Sequence, residues 1–503
     1  MSAFRGLVLL GAAAAAVSTL GMRAAAQVAP QDPSAQYQLA TQLYESARYR
    51  EALGAYEQVA QSGDEGFVLR ARKGKVRSAL RIAEFEMAWR EADLLNQREA
   101  ADAEAQTLLG DALWASGRFD EADAAYTEAL DEGGASRARF GLARSLASRT
   151  RLDEALDEAQ KASAEAPQDP EIHALVGLIY ERLNQFEQAA DALERYVMLL
   201  PPRTSKEDNQ MATLFQSKVR LLRSFKGRAP QEIEGDASRV FRVSFKLVDK
   251  KIVLQGRVNR TPVEFVLDTG AERTGVSDTT ARRAGIGTIT STLTAGVGIP
   301  ALRRLDMGRA EALEVGGLRM RNVPVAIRGA VRNALPRWQR ESLSPLSLGL
   351  SVAIDYQRRE VLLARTLPQN EADFVLPMRI NRLPMVRGML NSNYPAYFVV
   401  DTGGELISIS AETASALSMK PVRRIPLRVF GMSGIDVNAY LLPGVDVEFD
   451  EIEYRNVGLA VLNLRAPSVL LGFQVGGIVG HRFLSEYRVS MDVARSELRL
   501  EKF

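Results

Sequence analysis

The sequence predicts a multidomain protein in which an all-α repeat array is followed by an all-β region with two lobes. Helical segments recur with a period near 34 residues in the first half of the chain. At about Arg239 the hydrophobic spacing changes from helical to alternating, and a six-residue stretch then occurs twice. A chain of 503 residues is long enough for three domains of ordinary size.

The composition excludes several kinds of chemistry. The chain has no cysteine, which rules out disulfides, thiol catalysis and cysteine metal sites. Its two histidines, His173 and His481, lie in different segments, so a His-based triad or a multi-His metal site is not expected. The net charge is +2 with acids and bases interspersed, which indicates no nucleic-acid partner. No metal or cofactor is expected, and a hydrolase with this composition would use carboxylates.

Residues 1–26 have the pattern of a signal peptide. Arg5 supplies the positive start, an apolar run follows, and three alanines ending at Ala26 form a small-residue cleavage site. The alternative is an uncleaved membrane anchor, but the apolar run is shorter than the about 20 residues that a bilayer span needs. Cleavage near Ala26 would export the protein, most simply to a bacterial periplasm, without a stable membrane span.

Residues 27–203 are predicted to form the helical array. A small residue opens the second helix of each unit, at Ala52, Ala88, Ala122, Ala155 and Ala189. This pattern resembles the tetratricopeptide repeat, and five such units would form a superhelix whose groove binds a protein partner or recruits a protein substrate. Alternatively, the array only spaces or shields the region behind it, or holds dimers together. His173 is expected to serve packing or to lie at the surface.

The rest of the chain divides into three predicted segments. Residues 204–237 form a capping helix and a linker, residues 238–367 form lobe 1, and residues 368–503 form lobe 2. Asn259 and Arg260 are predicted to make a hairpin turn, and Asp278 is predicted to cap a short helix.

A tandem duplication predicts the two lobes. Residues 265–270 read Phe-Val-Leu-Asp-Thr-Gly and residues 398–403 read Phe-Val-Val-Asp-Thr-Gly, which places Asp268 and Asp401 133 residues apart. The flanking hairpins and the closing strands recur at nearly the same offset. Each copy is a buried strand that runs into an acidic turn. The duplication therefore predicts that two carboxylates meet across a pseudo-twofold axis.

Each copy also reaches a glycine-bearing stretch about 30 residues beyond its acid. Lobe 1 has Gly296 and Gly298 there, and lobe 2 has Gly431 and Gly434. A glycine-tipped hairpin at this place predicts a mobile flap, and an ordinary tight hairpin is the alternative.

Together these motifs resemble the retropepsin-like aspartic protease unit, over about residues 240–503. The resemblance rests on the two Asp-Thr-Gly turns and on Ile478-Val479-Gly480 followed by a short helix. It implies that Asp268 and Asp401 are the catalytic carboxylates, and that the threonines of the two turns bond across the axis. The residues that it implies as support for the acids are Thr269, Gly270, Thr402, Gly403 and Gly480.

The chain departs from the family pattern at two places. Lobe 1 has no counterpart of Gly480, since counting back from its closing strand leads to Leu343. Its supporting loop is therefore rebuilt. In lobe 2, Gly404 stands where alanine is usual. His481, beside Gly480, is expected at the surface or in packing.

The resemblance implies an exported aspartic endopeptidase. Two carboxylates a few ångströms apart share one proton, so that one activates a water and the other protonates the peptide carbonyl. The dyad forms inside one chain or between equivalent units of two chains, and both arrangements stay open. The alternative function is a catalytically inactive or weak envelope scaffold that holds peptides in the array groove and the cleft.

Overall fold

A computed structural model describes residues 32–200, 206–298, 301–329, 335–369, 371–417, 425–431 and 434–503. The predicted signal peptide, with its cleavage site near Ala26, lies outside the described residues. None of the described helices combines the length and the hydrophobicity that a bilayer span needs.

Residues 32–200 form five antiparallel helix pairs. The helices are α1 (Pro33–Glu45), α2 (Tyr49–Ala60), α3 (Glu65–Arg81), α4 (Phe85–Asn96), α5 (Ala103–Ala115), α6 (Phe119–Asp131), α7 (Ser136–Ser148), α8 (Leu152–Glu165), α9 (Pro170–Arg182) and α10 (Phe186–Leu199). The five alanines that open the second helices are all fully buried, as their spacing predicts. Glycines on first helices also allow neighbouring helices to pack closely. A Cβ at Gly141 of α7 would lie 2.3 Å from the ring of Tyr126 of α6.

A further helix, α11 (Lys206–Arg223), follows the array and packs on lobe 1. Leu222 and Phe225 share a buried cluster with Phe186 of α10 and with Met307 and Ala326 of lobe 1. The predicted linker is not free of the lobe, because it contains β1 (Glu232–Ile233), which pairs with a strand of lobe 1. The array is thereby joined to the sheet region through a packed segment.

The described residues of lobe 1 form β2 to β11, one short α-helix and two 3-10 helices (Arg337–Gln339 and Leu346–Leu348). Its elements are β2 (Phe241–Val248), β3 (Lys251–Val258), β4 (Thr261–Leu267), β5 (Gly275–Ser277), α12 (Asp278–Arg283), β6 (Thr290–Thr294), β7 (Arg303–Val315), β8 (Leu318–Arg328), β9 (Glu341–Leu343), β10 (Ser351–Asp355) and β11 (Glu360–Ala364). Asn259 and Arg260 make the predicted hairpin turn. The cap of α12 is Ser277, whose hydroxyl accepts the Thr280 N–H, so the prediction of Asp278 is wrong by one residue.

Lobe 2 repeats this order. Its elements are β12 (Phe374–Asn381), β13 (Leu383–Leu390), β14 (Tyr394–Val400), β15 (Ser408–Ser410), α13 (Ala411–Ala416), β16 (Ile425–Pro426), β17 (Val429–Gly431), β18 (Gly434–Asp436), β19 (Tyr440–Phe449), β20 (Ile452–Leu462), α14 (Arg465–Leu471), β21 (Gly477–Val479), α15 (His481–Leu484), β22 (Tyr487–Asp492) and β23 (Glu497–Lys502).

One six-stranded antiparallel sheet joins the lobes, in the order β2-β11-β10-β22-β23-β12. The central pair, β10 and β22, takes one strand from each lobe and aligns Val352 with Met491. Each lobe contributes three strands, and one buried apolar core extends through both lobes. The lobes are therefore a single folded body in one chain.

The array docks on lobe 2 along one edge, which is formed by the turns inside repeats 2 to 5. These turns and the helix ends next to them make polar contacts with lobe 2: Glu84 with Arg465 (3.0 Å), the Ala115 carbonyl with the Gln474 N–H (2.7 Å), Thr150 with Ser496 (3.0 Å), and Arg182 with the Ile380 carbonyl (3.3 Å). Between them, the Phe119 ring packs edge-on against Tyr397 and Phe473 of lobe 2, with ring centroids 4.7 and 5.1 Å away.

Candidate active site

The two Asp-Thr-Gly turns occupy equivalent places in the lobes. Asp268 follows β4, which pairs in parallel with β9, and its N–H donates to the Leu343 carbonyl (2.9 Å). Asp401 follows β14, which pairs in parallel with β21, and its N–H donates to the Val479 carbonyl (3.0 Å). A buried strand on each side thus fixes the backbone of each acid.

Four reciprocal hydrogen bonds tie the turns together. The Thr269 hydroxyl donates to the Val400 carbonyl (2.7 Å) and accepts the Thr402 N–H (3.0 Å). The Thr402 hydroxyl donates to the Leu267 carbonyl (2.8 Å) and accepts the Thr269 N–H (3.1 Å). Both threonines are almost fully buried. The structure therefore contains the cross-axis bonds that the resemblance implied.

The glycines bring each carboxyl group against the opposite turn. A Cβ placed on Gly270 would lie 2.4 Å from Cγ of Asp401, and one on Gly403 would lie 2.8 Å from Oδ1 of Asp268. Any larger residue would displace the acids. The two carboxyl groups thus face each other at the pseudo-twofold axis of a single chain.

The surroundings of Asp401 favour its protonated form. Burial and the neighbouring Asp268 carboxyl raise the pKa of Asp401 to about 7. Three groups act in the opposite direction: the Gly403 N–H, which donates to Oδ1 at 2.7 Å, the Lys251 ammonium and the Gly404 N–H. The net direction is that of a carboxyl group that keeps a proton near neutral pH.

The supporting loop behind each acid has a different chemistry in the two lobes. In lobe 2, a Cβ on Gly480 would lie 2.9 Å from the Gly404 backbone, and the His481 N–H donates to the Gly404 carbonyl (2.9 Å). In lobe 1, strand pairing aligns Leu343 with Val479, so that Ser344 takes the place of Gly480. The count back to Leu343 is therefore wrong by one residue.

Ser344 compensates for a lost backbone donor. The next residue is Pro345, which has no N–H and cannot make the bond that His481 makes in lobe 2. The Ser344 hydroxyl instead donates to the Ala271 carbonyl (2.6 Å), and its N–H donates to the Thr274 hydroxyl (3.1 Å). The rebuilt loop thus supports the first turn in a different way.

The predicted flaps are two hairpins whose tips meet. In lobe 1, β6 pairs with β7, and Gly296 and Gly298 lie beyond the last pair. In lobe 2, β17 pairs with β18 through Gly431 and Gly434. A Cβ on Gly431 would lie 2.1 Å from the Val297 carbonyl oxygen, and one on Gly298 would lie 2.6 Å from the Gly434 carbonyl oxygen. Only residues as small as glycine allow this approach.

Helix α11 braces the flap of lobe 1. The Ser217 hydroxyl donates to the Ser291 carbonyl, and Arg220 Nε donates to the Thr290 hydroxyl (3.2 Å). Both acceptors lie on β6, the first strand of this flap. The base of this hairpin is therefore bonded to the helix that caps the array.

Ionic contacts between the lobes were not predicted from the sequence. The acid four positions after each aspartate pairs with a base at the tip of the opposite lobe's first hairpin: Glu272 with Arg382 (Nε–Oε2 3.0 Å) and Glu405 with Lys250 (2.7 Å). Comparison of the duplicated segments could have found them, since both acids recur at the same offset as the aspartates.

The two histidines have no place in the dyad chemistry. The His481 ring is buried edge-on against Tyr356, with centroids 5.2 Å apart, and burial lowers the pKa of His481. It therefore serves packing and does not lie at the surface. His173 Nε2 lies 2.9 Å from the Pro167 carbonyl oxygen within the array.

The comparisons with known families follow this division of the chain. An aspartyl protease model matches residues 254–352 and again residues 386–480, once in each lobe. Tetratricopeptide repeat models match residues 107–170 and 170–201. A search of curated proteins found no match.

Two of the similar solved structures are described as tetratricopeptide repeat proteins. A thermophilic one from Thermus thermophilus is 17% identical, covers 37% of this chain and 99% of its own, and gives a TM-score of 0.32. YrrB, described as having an unusual peptide-binding site, is 18% identical, covers 34% of this chain and 88% of its own, and gives a TM-score of 0.24.

Proposed function

We propose that this chain, which consists of tetratricopeptide repeats followed by a two-lobed retropepsin-like aspartyl protease region, is an exported aspartic endopeptidase. The observation that carries the proposal is the reciprocal bonding of Thr269 and Thr402, which holds two carboxyl groups face to face. A structural acid would have no need of a second acid beside it, because two buried like charges destabilise a fold. Sharing one proton turns the same pair into an acid and a base.

The surroundings of the dyad support a different role for each carboxyl group. Burial favours the protonated form of Asp401, so this group donates a proton to the carbonyl oxygen of the scissile bond. Asp268 accepts a proton from the water that attacks the carbonyl carbon. As the carbon–nitrogen bond breaks, the proton that Asp268 took from the water moves to the leaving amine. A hydroxyl of the tetrahedral intermediate returns its proton to Asp401, so that the dyad regains its starting state. This scheme uses no metal ion.

The test is the removal of each acid with a matched control. Asp268→Asn and Asp401→Asn are each expected to abolish cleavage of a peptide library while the far-UV circular dichroism stays unchanged. Asp450→Asn, at an exposed hairpin tip with positive φ, makes the same change away from the dyad and should retain activity. Retention of most activity by Asp268→Asn would overturn the dyad.

The scaffold alternative predicts a different outcome of the same experiment. A peptide-binding protein without catalysis would cleave nothing in any form, and its two Asp→Asn variants would bind peptides as the parent does. The preserved bonding at Ser344 argues against such decay of lobe 1, since Ser344 keeps a donor on the Ala271 carbonyl. Export to a periplasm rests on the predicted signal peptide, and fractionation of a bacterium that expresses the full sequence tests it.

The array is proposed to bind protein, since tetratricopeptide repeats commonly present a concave surface to a peptide or protein. Its docked edge is formed by the turns within repeats and by the helix ends next to them. Bound substrate would therefore be held by a rigid neighbour of the cleft. Comparison of KM for a protein and for a short peptide, in variants of the concave face, tests this recruitment.

A further inference from the structure

The hairpin that opens each lobe reaches the catalytic turn of the other lobe, and the two contacts differ in one residue. Lys251 begins β3 in lobe 1, and Leu383 begins β13 in lobe 2. The two positions are equivalent, because Gly256 and Gly388, five residues further on, both pack on the Phe of the Asp-Thr-Gly strand. One catalytic turn therefore has a lysine beside it where the other has a leucine.

Lys251 acts on Asp401 through one peptide unit. Its Nζ donates to the carbonyl oxygen of Gly403. The N–H of the same peptide unit belongs to Gly404 and donates to the Asp401 carbonyl oxygen (3.2 Å), and it also lowers the pKa of the Asp401 carboxyl group. A cation on the carbonyl end polarises a peptide and makes its N–H a stronger donor. The turn of Asp268 has Leu383 at the equivalent position, which cannot polarise a peptide.

We propose that Lys251 is a positioning residue that makes the two aspartates inequivalent, by holding the peptide between Gly403 and Gly404 against Asp401. The proposal rests on the proposed endopeptidase function and deepens it. Burial raises the pKa of Asp401, and the charge of Lys251 lowers it. The proton on this carboxyl group is therefore transferred more easily than burial alone would allow. Without this charge, the dyad would hold its protons more tightly.

The other charged groups around this turn do not replace Lys251. Asp268 is the dyad partner itself. Lys250 is paired with Glu405 at 2.7 Å and extends into solvent. Burial, followed by the charge of Lys251, lowers the pKa of His481, so that its ring is neutral near pH 7. Lys251 is therefore the cation that acts on the peptide next to Asp401.

The test is the pH dependence of kcat/KM for a short peptide in the full chain. Lys251→Met should move both limbs of the profile to higher pH by about 0.5 pH unit or more, because a positive charge near the dyad has been removed. Lys251→Arg should restore the parent profile. Lys246→Met removes one charge from an exposed position on β2 and should leave the profile in place.

The outcomes separate this inference from the proposed function. If the parent protein cleaves peptides and the Lys251→Met profile coincides with those of the parent and of Lys246→Met, the role of Lys251 is refuted. If the parent cleaves no peptide, the endopeptidase proposal fails first. Thermal unfolding of each variant shows whether it is folded, and a Lys251→Met protein that loses activity equally at all pH values would make Lys251 purely structural.

Discussion

Arg379 is expected to hold the array on lobe 2, and its removal should loosen that joint specifically. Its side chain, 4% exposed on β12, donates to Asp120 (2.7 Å) and Asp123 (2.6 Å) of α6. It also donates to the hydroxyls of Ser145 and Ser148 of α7, each at 3.1 Å. Arg379→Met fills a similar volume but leaves two carboxylates and two buried hydroxyls without this donor.

The free-energy cost of Arg379→Met follows from the charged groups that stay buried without a partner. Removing one partner of a buried ion pair costs about 3–5 kcal/mol. We expect a cost of about 3 kcal/mol, because the Asp120 side chain is 45% exposed and its carboxylate can be hydrated when Arg379 is removed. A loss of about 3 kcal/mol corresponds to a local opening equilibrium about 100-fold larger. Arg387→Met is the matched control: Arg387 is 50% exposed and 3.7 Å from Asp120, so its removal should cost less than about 1 kcal/mol.

Hydrogen exchange in the intact chain measures this difference. Amides of α6 and β13 should exchange about 100-fold faster in Arg379→Met, provided that these segments exchange through opening of the joint. In Arg387→Met they should exchange within a few-fold of the parent. Equal rates in the two variants would refute the view that buried charge pairing holds the array to the lobe.

Two further predictions concern acid stability and the threonine bonds. Burial opposes ionisation of Glu181, but Lys218 and Arg273 outweigh it and lower the pKa of Glu181 to about 2. The stability that results is present above pH about 4.5 and is lost as the pH falls toward 2. In Glu181→Gln, the free energy of unfolding measured by urea titration should therefore fall less between these pH values than in the parent. Glu187→Gln changes a residue of an exposed pair and should not alter this pH dependence. Thr402→Val should lower the free energy of unfolding by about 2–4 kcal/mol and cut peptide turnover at least about tenfold, because a buried N–H and a buried carbonyl lose their partners. Thr402→Ser should retain both properties, and equal behaviour of the two variants would contradict this role of the hydroxyl.

The sequence predicts the elements that depend on local or repeated patterns. The alanine period predicts five repeats because helix crossings exclude larger side chains, and the duplicated Asp-Thr-Gly stretch predicts two lobes whose acids meet. The prediction of Leu343 as the equivalent of Gly480 is wrong by one residue. The glycine that would mark this position is replaced by Ser344, and Pro345 after it has no N–H to donate. This compensation cannot be predicted from the sequence, because it depends on a hydrogen bond from Ser344 to the Ala271 carbonyl, 73 positions away in the chain.

The docking of the array on lobe 2 could not be predicted from the sequence for a different reason. Arg379 and Asp120 are 259 positions apart, and each resembles an ordinary surface charge in its own segment. Nothing in the spacing of either segment indicates a partner. The same holds for Phe119, which reads as a helix-packing residue and also contacts Tyr397 of lobe 2.

These contacts change how recruitment by the array must be tested. A fragment that begins near Ser238 would expose the face of lobe 2 that Phe119 covers, and it would remove the brace on the flap strand β6. Loss of activity in such a fragment would follow from structural damage whether or not the array binds substrate. Recruitment and support are separated only in the intact chain, by changing the concave face while the docked edge, the Arg379 cluster and α11 stay as they are. The structure packs the array against lobe 2 and ties α11 to β6 of lobe 1, so recruitment can be measured only in a chain that keeps both contacts.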